Sequence, residues 1–343
     1  MSTVSTAPAQ AAPPPRAGRE SLDANRRREA RNAYLLLAPT ILVMALVVGY
    51  PIVLSIFNSF QGDRHLDTAT GQFVTGGFVG LSNYTHWLLQ QCVVGGKSVA
   101  CAPGQLANSF WNATFVTFFF AVVTVVLETL FGLWMALIMN RNFRGRGLLR
   151  AAVLVPWAIP TAVTAKLWYF IFATDGIVNT LLGQQIIWGS DLWASRFAIV
   201  IADTWKTTPF MALLILAGLQ LIPEDVYEAA RMDGASTVQQ FFRITVPLLR
   251  PALIVAILFR TLDALRMYDL PQILTGGGGG RGDATTTLSI LVVKQVYQGV
   301  NVASALSTIT FIIIFVVAFI FIRVLGANIT GGERKSKKVA EEL

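Results

Sequence analysis

Charge is scarce in this sequence. Of 343 residues only 13% are Asp, Glu, Lys or Arg, while 54% are hydrophobic, which leaves too little polar surface to wrap a soluble domain. Histidine and cysteine number two each. The spacing of His65 and His86 fits no metal-ligand signature, so zinc chemistry is not expected, and two cysteines in one short loop do not suggest redox catalysis. A nucleotide-binding loop is missing as well. The glycine run at 276–280 is followed by Arg-Gly-Asp rather than Lys-Ser/Thr, and no strand precedes it; the Arg-Gly-Asp tripeptide reads as chance. A cleavable signal peptide is not expected, because the first apolar run starts only near Tyr34, is too long for a signal core and lacks a small-residue cleavage site after it.

Long apolar runs are what the chain has instead. Segments 34–58, 110–139, 149–172, 196–221, 249–272 and 303–326 each exceed the roughly 20 residues that cross about 30 Å of hydrocarbon. Lipid offers backbone groups no partners, so these segments are expected to be helices of an all-α polytopic membrane protein. Six spans place both termini on one side. Arg26, Arg27, Arg28 and Arg31, then Arg141, Arg144, Arg146 and Arg150, and finally Arg334, Lys335, Lys337 and Lys338 fall on that side. The opposite loops carry only Arg64, Lys97, Arg281 and Lys294, so the positive-inside rule predicts cytoplasmic termini. The net charge of +8 arises from this bias. It calls for acidic lipid head groups rather than nucleic acid as partner.

Residues 1–31, with Pro8, Pro13, Pro14 and Pro15, are expected to be a disordered basic cytoplasmic tail, and 328–343 a second basic tail. Cys92 and Cys101 bracket CVVGGKSVAC in the first external loop. On the oxidising side they either form a disulfide closed around Gly95 and Gly96 or remain two unpaired thiols.

Between the fourth and fifth runs lies a polar stretch, EAARMDGASTVQQFFRITVPLLRP at 228–251. Pro223 is placed at a first helical position, Glu224 and Asp225 suit the positive end of a helix dipole, and Gly234 suits a left-handed terminus. Ser236 and Gln239 form a capping-box pattern that starts a second helix, which Pro247 is expected to interrupt. Taken by its periodicity, the first of these helices could simply lie on the membrane surface.

The residue pattern adds a resemblance. Glu228, Ala229 and Ala230, three residues, Gly234, nine residues, Ile244, one residue, then Val246 and Pro247 resembles the EAA loop of ABC importer permeases, with Val246 as a conservative departure from the family's Leu. Further stretches, GLQLIPEDVYEAARMDGAS, FFRITVPLL, LPQILTGGGG, TTTLSI and VASALS, are similar to the sugar-importer branch, specifically the larger, maltose-type first subunit, with actinobacterial trehalose permeases closely similar. The resemblance implies a type I importer fold over 32–327 in the bacterial cytoplasmic membrane, with a coupling loop at 222–248. It also implies a second homologous permease, two cytoplasmic ATPase subunits and an external sugar-binding lipoprotein as partners. Glu228, Ala229, Ala230, Asp233 and Gly234 would contact the ATPase. No cofactor is expected in this chain, since ATP and Mg belong to the ATPase subunits.

Ionisable residues inside spans cost roughly 2.5–3.5 kcal/mol each on insertion scales and need partners or a watery path. Lys166, Lys206, Arg260 and Asp263 stand out, with Arg266 close behind. Asp263 either pairs at i,i+3 with Arg260 or Arg266, or accepts hydrogen bonds from substrate, or does both. Pro209 is expected to kink the fourth run and free a carbonyl near Lys206, which could alternatively snorkel to the outer interface. Carried over from the family, the substrate path falls on Lys206, Thr207, Phe210, Arg260, Asp263, Ala264 and Met267. Glu128, with Thr124 one turn before it, suits either packing or the path. The rival reading is an ion-coupled secondary transporter using Asp263 or Glu128, although no repeated broken-helix pattern supports it.

Overall fold

The computed structural model describes residues 17–66, 71–94, 97–278 and 283–323. The basic residues from 334 onward and the glycines at 279–280 lie outside them. The chain divides into two compact units, Met1–Ser55 and Ile56–Leu343.

Helix α1 (Ala17–Met44) runs through a π-helical turn, Ala45–Gly49, into α2 (Tyr50–Asn58). The stretch Arg31–Asn58 is long and apolar enough to cross a membrane, and none of its most apolar window is buried. Such a helix is stable in lipid because every internal backbone group is bonded within it. Helix α1 begins at Ala17, so the segment from 17 to 31, expected to be disordered, is helical. Its run of Arg, Ala and Glu consists of good helix formers, and extending an existing helix avoids the cost of a new nucleus.

The second unit begins with two small hairpins. Strand β1 (His65–Leu66) pairs antiparallel with β2 (Phe73–Val74). After helix α3 (Ser82–Leu88), β3 (Gln91–Val94) pairs with β4 (Lys97–Ala100), setting Cys92 opposite Val99. A disulfide joins Cys92 to Cys101. His86 lies close enough to both sulfurs to suggest a metal site among the described residues, but the sulfurs are bonded to each other and His86 Nδ1 faces the Gln91 carbonyl at 2.9 Å. A carbonyl only accepts, so Nδ1 carries its proton and is not free to ligate. Burial pushes this imidazole below its ordinary range, outweighing the Gln91 carbonyl, which favours protonation.

The bundle proper comes next. Helix α4 (Phe110–Asn140) packs along α8 (Leu192–Leu219), with α5 (Arg146–Ala158), α6 (Thr161–Ile171) and α7 (Ile177–Leu182) between them in sequence. Where 149–172 was expected as one span, α5 and α6 meet at 89°. The cause is local. Pro160 disfavours helical geometry at the residue before it, and Ile159 is extended at φ −72°, ψ 132°. In contrast, α8 continues through Pro209 without a break.

Beyond α8, helix α9 (Glu224–Met232) is preceded by Pro223 as an extended N-cap rather than a first helical residue. Gly234 adopts φ +76° after it. The Ser236–Gln239 capping box is formed, with both reciprocal bonds, at the start of α10 (Thr237–Gln240). Pro247 does not interrupt the helix. A π-helical turn, Phe241–Thr245, leads into α11 (Val246–Ala264), and the Val246 N–H bonds the Phe241 carbonyl five residues back. This widened turn, with Pro247 in the first turn of α11, absorbs the donor that proline lacks. The continuous helix therefore begins at Thr237 and ends at Ala264, not at 249 and 272 as expected. Two successive tightened bonds, from the Arg266 N–H to the Asp263 carbonyl and from the Met267 N–H to the Ala264 carbonyl, close its end, and Tyr268 leaves helical geometry. Helices α12 (Asp269–Thr275), α13 (Leu288–Val296) and α14 (Val300–Phe321) complete the unit. Among the described residues five helices, or six if the bent pair counts as one, can span a membrane.

Close approach of α4 to α8 depends on Gly132, where a Cβ would lie 2.9 Å from Met211 Cβ and 3.1 Å from the Ala212 nitrogen. Small residues of this kind let membrane helices pack when hydrophobicity gives no net drive between them. Gly132→Ile should therefore cost about 1–3 kcal/mol through overpacking, seen as a lower thermal midpoint of the purified protein. An unchanged midpoint would show that the two helices have room to part.

Candidate functional site

Helices α4, α8 and α11 converge on one guanidinium. Arg260 is 2% exposed. Its Nε and Nη2 fork onto Glu128 of α4, the second contact at 2.9 Å. Nη2 also donates to Asp203 of α8, and Nη1 donates to Asp263 at 2.9 Å. Thr124 lies at the edge of this shell, 3.5 Å from Nη2. The guanidinium has five N–H donors in a fixed plane and no acceptor, so three carboxylates from three helices can be held by it at once. Thr207 Oγ is within hydrogen-bond reach of both the Glu128 carboxylate and the Asp203 carbonyl.

Asp263 differs from its two neighbours. Its side chain is 65% exposed, whereas Glu128 and Asp203 are buried, so the carboxylate expected inside the fifth span is open rather than enclosed. The Arg260–Asp263 pair at i,i+3 is formed, and Arg266 instead turns its Nε toward the Leu262 carbonyl at 3.3 Å.

Lys206 neither snorkels outward nor caps a carbonyl of its own helix. It is buried, and its ammonium donates at 2.8 Å to the Ile159 carbonyl. That carbonyl sits at the α5–α6 break, where no helical donor comes after it, so the lysine satisfies a group that the bend leaves without a partner. Lys166, the other lysine within the expected spans, lies 5.3 Å over the Tyr169 ring.

A cavity of about 130 Å³ opens beside this cluster, lined by Asp203, Lys206, Thr207, Arg260, Asp263 and Met267 together with Thr161, Arg266, Tyr268, Asp269 and Leu270. Five of the seven residues expected on the substrate path thus share one wall. The other two do not. Phe210 stacks on Trp157 at 5.7 Å, and Ala264 packs in a core cluster with Ala121, Val125 and Leu265. Sequence reasoning missed Asp203, Tyr268 and Asp269. Asp203 was signalled by its place one turn before Thr207, whereas the other two enter only because α11 ends early. A larger cavity, about 600 Å³ between α4, α5 and α8, is lined almost wholly by apolar groups such as Phe131, Trp134, Pro156 and Trp205. Only Thr204, Thr208, Trp134 and Trp205 offer it side-chain N–H or O–H groups, and among the described residues no charged side chain lines it, so the polar cavity is the candidate site despite its size.

The geometry defines a multi-pass helical membrane protein with a charged, hydroxyl-competent cavity at the convergence of three spans. The sequence profile of binding-protein-dependent transport system inner membrane components matches residues 128–331. The trehalose/maltose transport system permease protein MalF of Thermococcus litoralis is 41% identical over 304 residues, covering 87% of this chain and 94% of that protein. SugA of Mycobacterium tuberculosis, a trehalose transport system permease protein, is 38% identical over 322 residues, 90% of this chain and 93% of its own. The sulfoquinovosyl glycerol permease SmoG of Agrobacterium fabrum is 34% identical over 301 residues, 85% and 90% of the two chains. The crystal structure of a bacterial ABC transporter that imports the acidic polysaccharide alginate shares the fold, with TM-score 0.68 and 18% identity over 90% of this chain and 99% of that one. The chain therefore belongs to the binding-protein-dependent inner membrane components, the permease subunits of ABC importers. Such a subunit transports and is not itself an enzyme, and the ion-coupled alternative is set aside.

The cluster makes a stability prediction. Arg260→Met leaves Glu128 and Asp203 buried without their cation, which should cost roughly 3–5 kcal/mol. Glu128→Gln keeps the shape and removes one charge from an acid-rich shell, so it should cost less. Thermal melting of the purified variants orders them; equal midpoints for Arg260→Met and the parent would show the carboxylates are held by other means.

Proposed function

We propose that this chain is the permease subunit of an ATP-driven sugar importer, carrying a disaccharide such as trehalose from an external binding protein to the cytoplasm. The observation that carries the reading is likeness along nearly the full chain, at 38–41% identity, to two permeases whose names specify trehalose. The cavity chemistry supports it. Asp263 presents an exposed carboxylate held in place by Arg260, with Lys206 and Thr207 beside it and Tyr268 for stacking. Carboxylate, ammonium and hydroxyl groups match the donors and acceptors of a polyol.

The cavity's 130 Å³ falls well below the ~300–1,000 Å³ of typical small-molecule sites. This supports a path completed by a second, homologous permease. Helix α9 and the Gly234 turn would dock on one of two ATPase subunits, which hold the ATP and Mg, through Glu228, Ala229, Ala230 and Asp233. In the structure Glu228 and Arg231 form only a loose pair at 3.9 Å, both well exposed, so the Glu228 carboxylate is available to a partner. The excess of Arg at 141–150 supports placing this end of the bundle in the cytoplasm.

Asp263→Ala should lower sugar uptake by one to two decades, from loss of a charged hydrogen bond of about 1.5–3 kcal/mol, while the complex assembles and basal ATP hydrolysis persists. Uptake of radiolabelled trehalose and competing disaccharides in reconstituted vesicles tests both residue and cargo; an assembled variant that transports as the parent does removes Asp263 from the path.

Gly234→Trp tests coupling. A Cβ at Gly234 meets nothing within 4 Å, but φ is +76°, so the substitution strains the turn by roughly 1–2 kcal/mol rather than clashing. Membrane insertion should persist while uptake and binding-protein-stimulated ATP hydrolysis both fall. Parent-level stimulation in this variant would detach the α9 turn from coupling.

A further inference from the structure

We propose that a second cavity, at the end of the bundle where α4 turns into α5, is a binding site for a phosphate-bearing anion. It measures about 460 Å³ and is lined by Asn140, Asn142, Arg146, Arg150, Glu224 and Arg231, among others. The ends of α4 and α8 and the residues of α5 and α9 build it. Asn140 closes α4; Gly145, at φ +92°, turns the chain so that Arg146 and Arg150 open α5 one turn apart; Arg231 comes from the last turn of α9. Three guanidiniums against the single lining carboxylate of Glu224 give the lining a charge of +2 by count, with Arg231 also held loosely by Glu228 outside the cavity at 3.9 Å.

The protein leaves much of this donor capacity unused. Arg146 reaches Asn142, and Arg150 donates through Nη2 to the Met139 carbonyl at 2.8 Å. The Nε of Arg150 is buried with no acceptor. Each guanidinium carries five N–H groups in a planar fork that matches phosphate oxygens, so the cavity suits an anion of that geometry.

Depth in the membrane fits the same chemistry. Helix α4 is a 31-residue apolar element ending at Asn140, which puts the cavity where hydrocarbon gives way to head groups. Basic pockets between spans at this level take acidic lipid head groups. Because α9 forms one wall, an occupant holds α9 against the α4–α5 turn. This site is separate from the sugar cavity and does not depend on the cargo.

The test is native mass spectrometry of the full-length chain in detergent, titrated with phosphatidylglycerol or with zwitterionic phosphatidylcholine. One phosphatidylglycerol should be retained about tenfold more tightly than phosphatidylcholine. Arg146→Gln/Arg231→Gln, which spares the Arg150–Met139 bond, should abolish that preference at an unchanged melting midpoint; if the double variant does not fold, Arg146→Gln alone should weaken it. Millimolar inorganic phosphate separates the sources: displacement of the lipid assigns the site to soluble phosphates, and retention assigns it to head groups. Equal retention of the two lipids by the parent, or an undiminished preference in the folded variant, overturns the proposal. Loss of the bound anion when the ATPase subunits are added overturns it too, because the arginines would then be a protein-docking surface.

Discussion

A guanidinium placed inside a membrane span must be surrounded by acceptors, and the arrangement of α4, α8 and α11 results from that need. Arg260 draws Glu128, Asp203 and Asp263 into one shell. Removing charges from water costs several kcal/mol per ion even after relaxation, so the helices that supply the carboxylates cannot drift apart without stranding them. Glu128 and Asp203 are consumed in holding the cation. Asp263, mostly exposed, is anchored at one oxygen and available at its surface. One interaction thus builds the core of the bundle and furnishes the wall of the cavity.

The same economy operates at the α5–α6 bend. Pro160 forces Ile159 out of helical geometry and strands its carbonyl, and Lys206 from α8 supplies the donor. The ammonium is fixed at the edge of the polar cavity by the backbone it repairs. A break that would be untenable facing lipid is tolerated because it faces a charged group inside the protein. The residue that stabilises the bend therefore also lines the polar cavity.

At the opposite end the devices are local. Glu224 and Asp225 sit in the first turn of α9, Gly234 takes the left-handed turn after it, and Ser236 caps α10 reciprocally with Gln239. None of these needs a distant partner. The π-helical turn at Phe241–Thr245 then lets Pro247 join a long continuous helix, so α10 is rigidly continuous with the span that carries Arg260. A displacement of the α9–α10 elbow would be passed to the cavity along one helix.

How legible these features were in the sequence depended on the range of the interaction behind them. The apolar runs, the α9 boundaries and the capping box were readable because each rests on residues within a turn or two of one another, where hydropathy, dipole and turn chemistry act. The Arg260–Asp263 pair was readable for the same reason, as one of two i,i+3 options. Glu128 and Asp203 lie 132 and 57 residues from Arg260, and nothing in their neighbourhoods declares which cation they meet. The partner of Lys206 was hidden likewise, since the carbonyl it caps belongs to another helix. The ends of helices within apolar stretches were misplaced, because hydropathy does not change where α6 begins or α11 stops. By itself, then, the sequence determined that this is a multi-pass helical membrane protein with a polar elbow of two short helices about Gly234, through short-range chemistry. Only the tertiary structure decided that three carboxylates share one arginine and that five of the seven expected path residues face one cavity, because those outcomes depend on which helices meet.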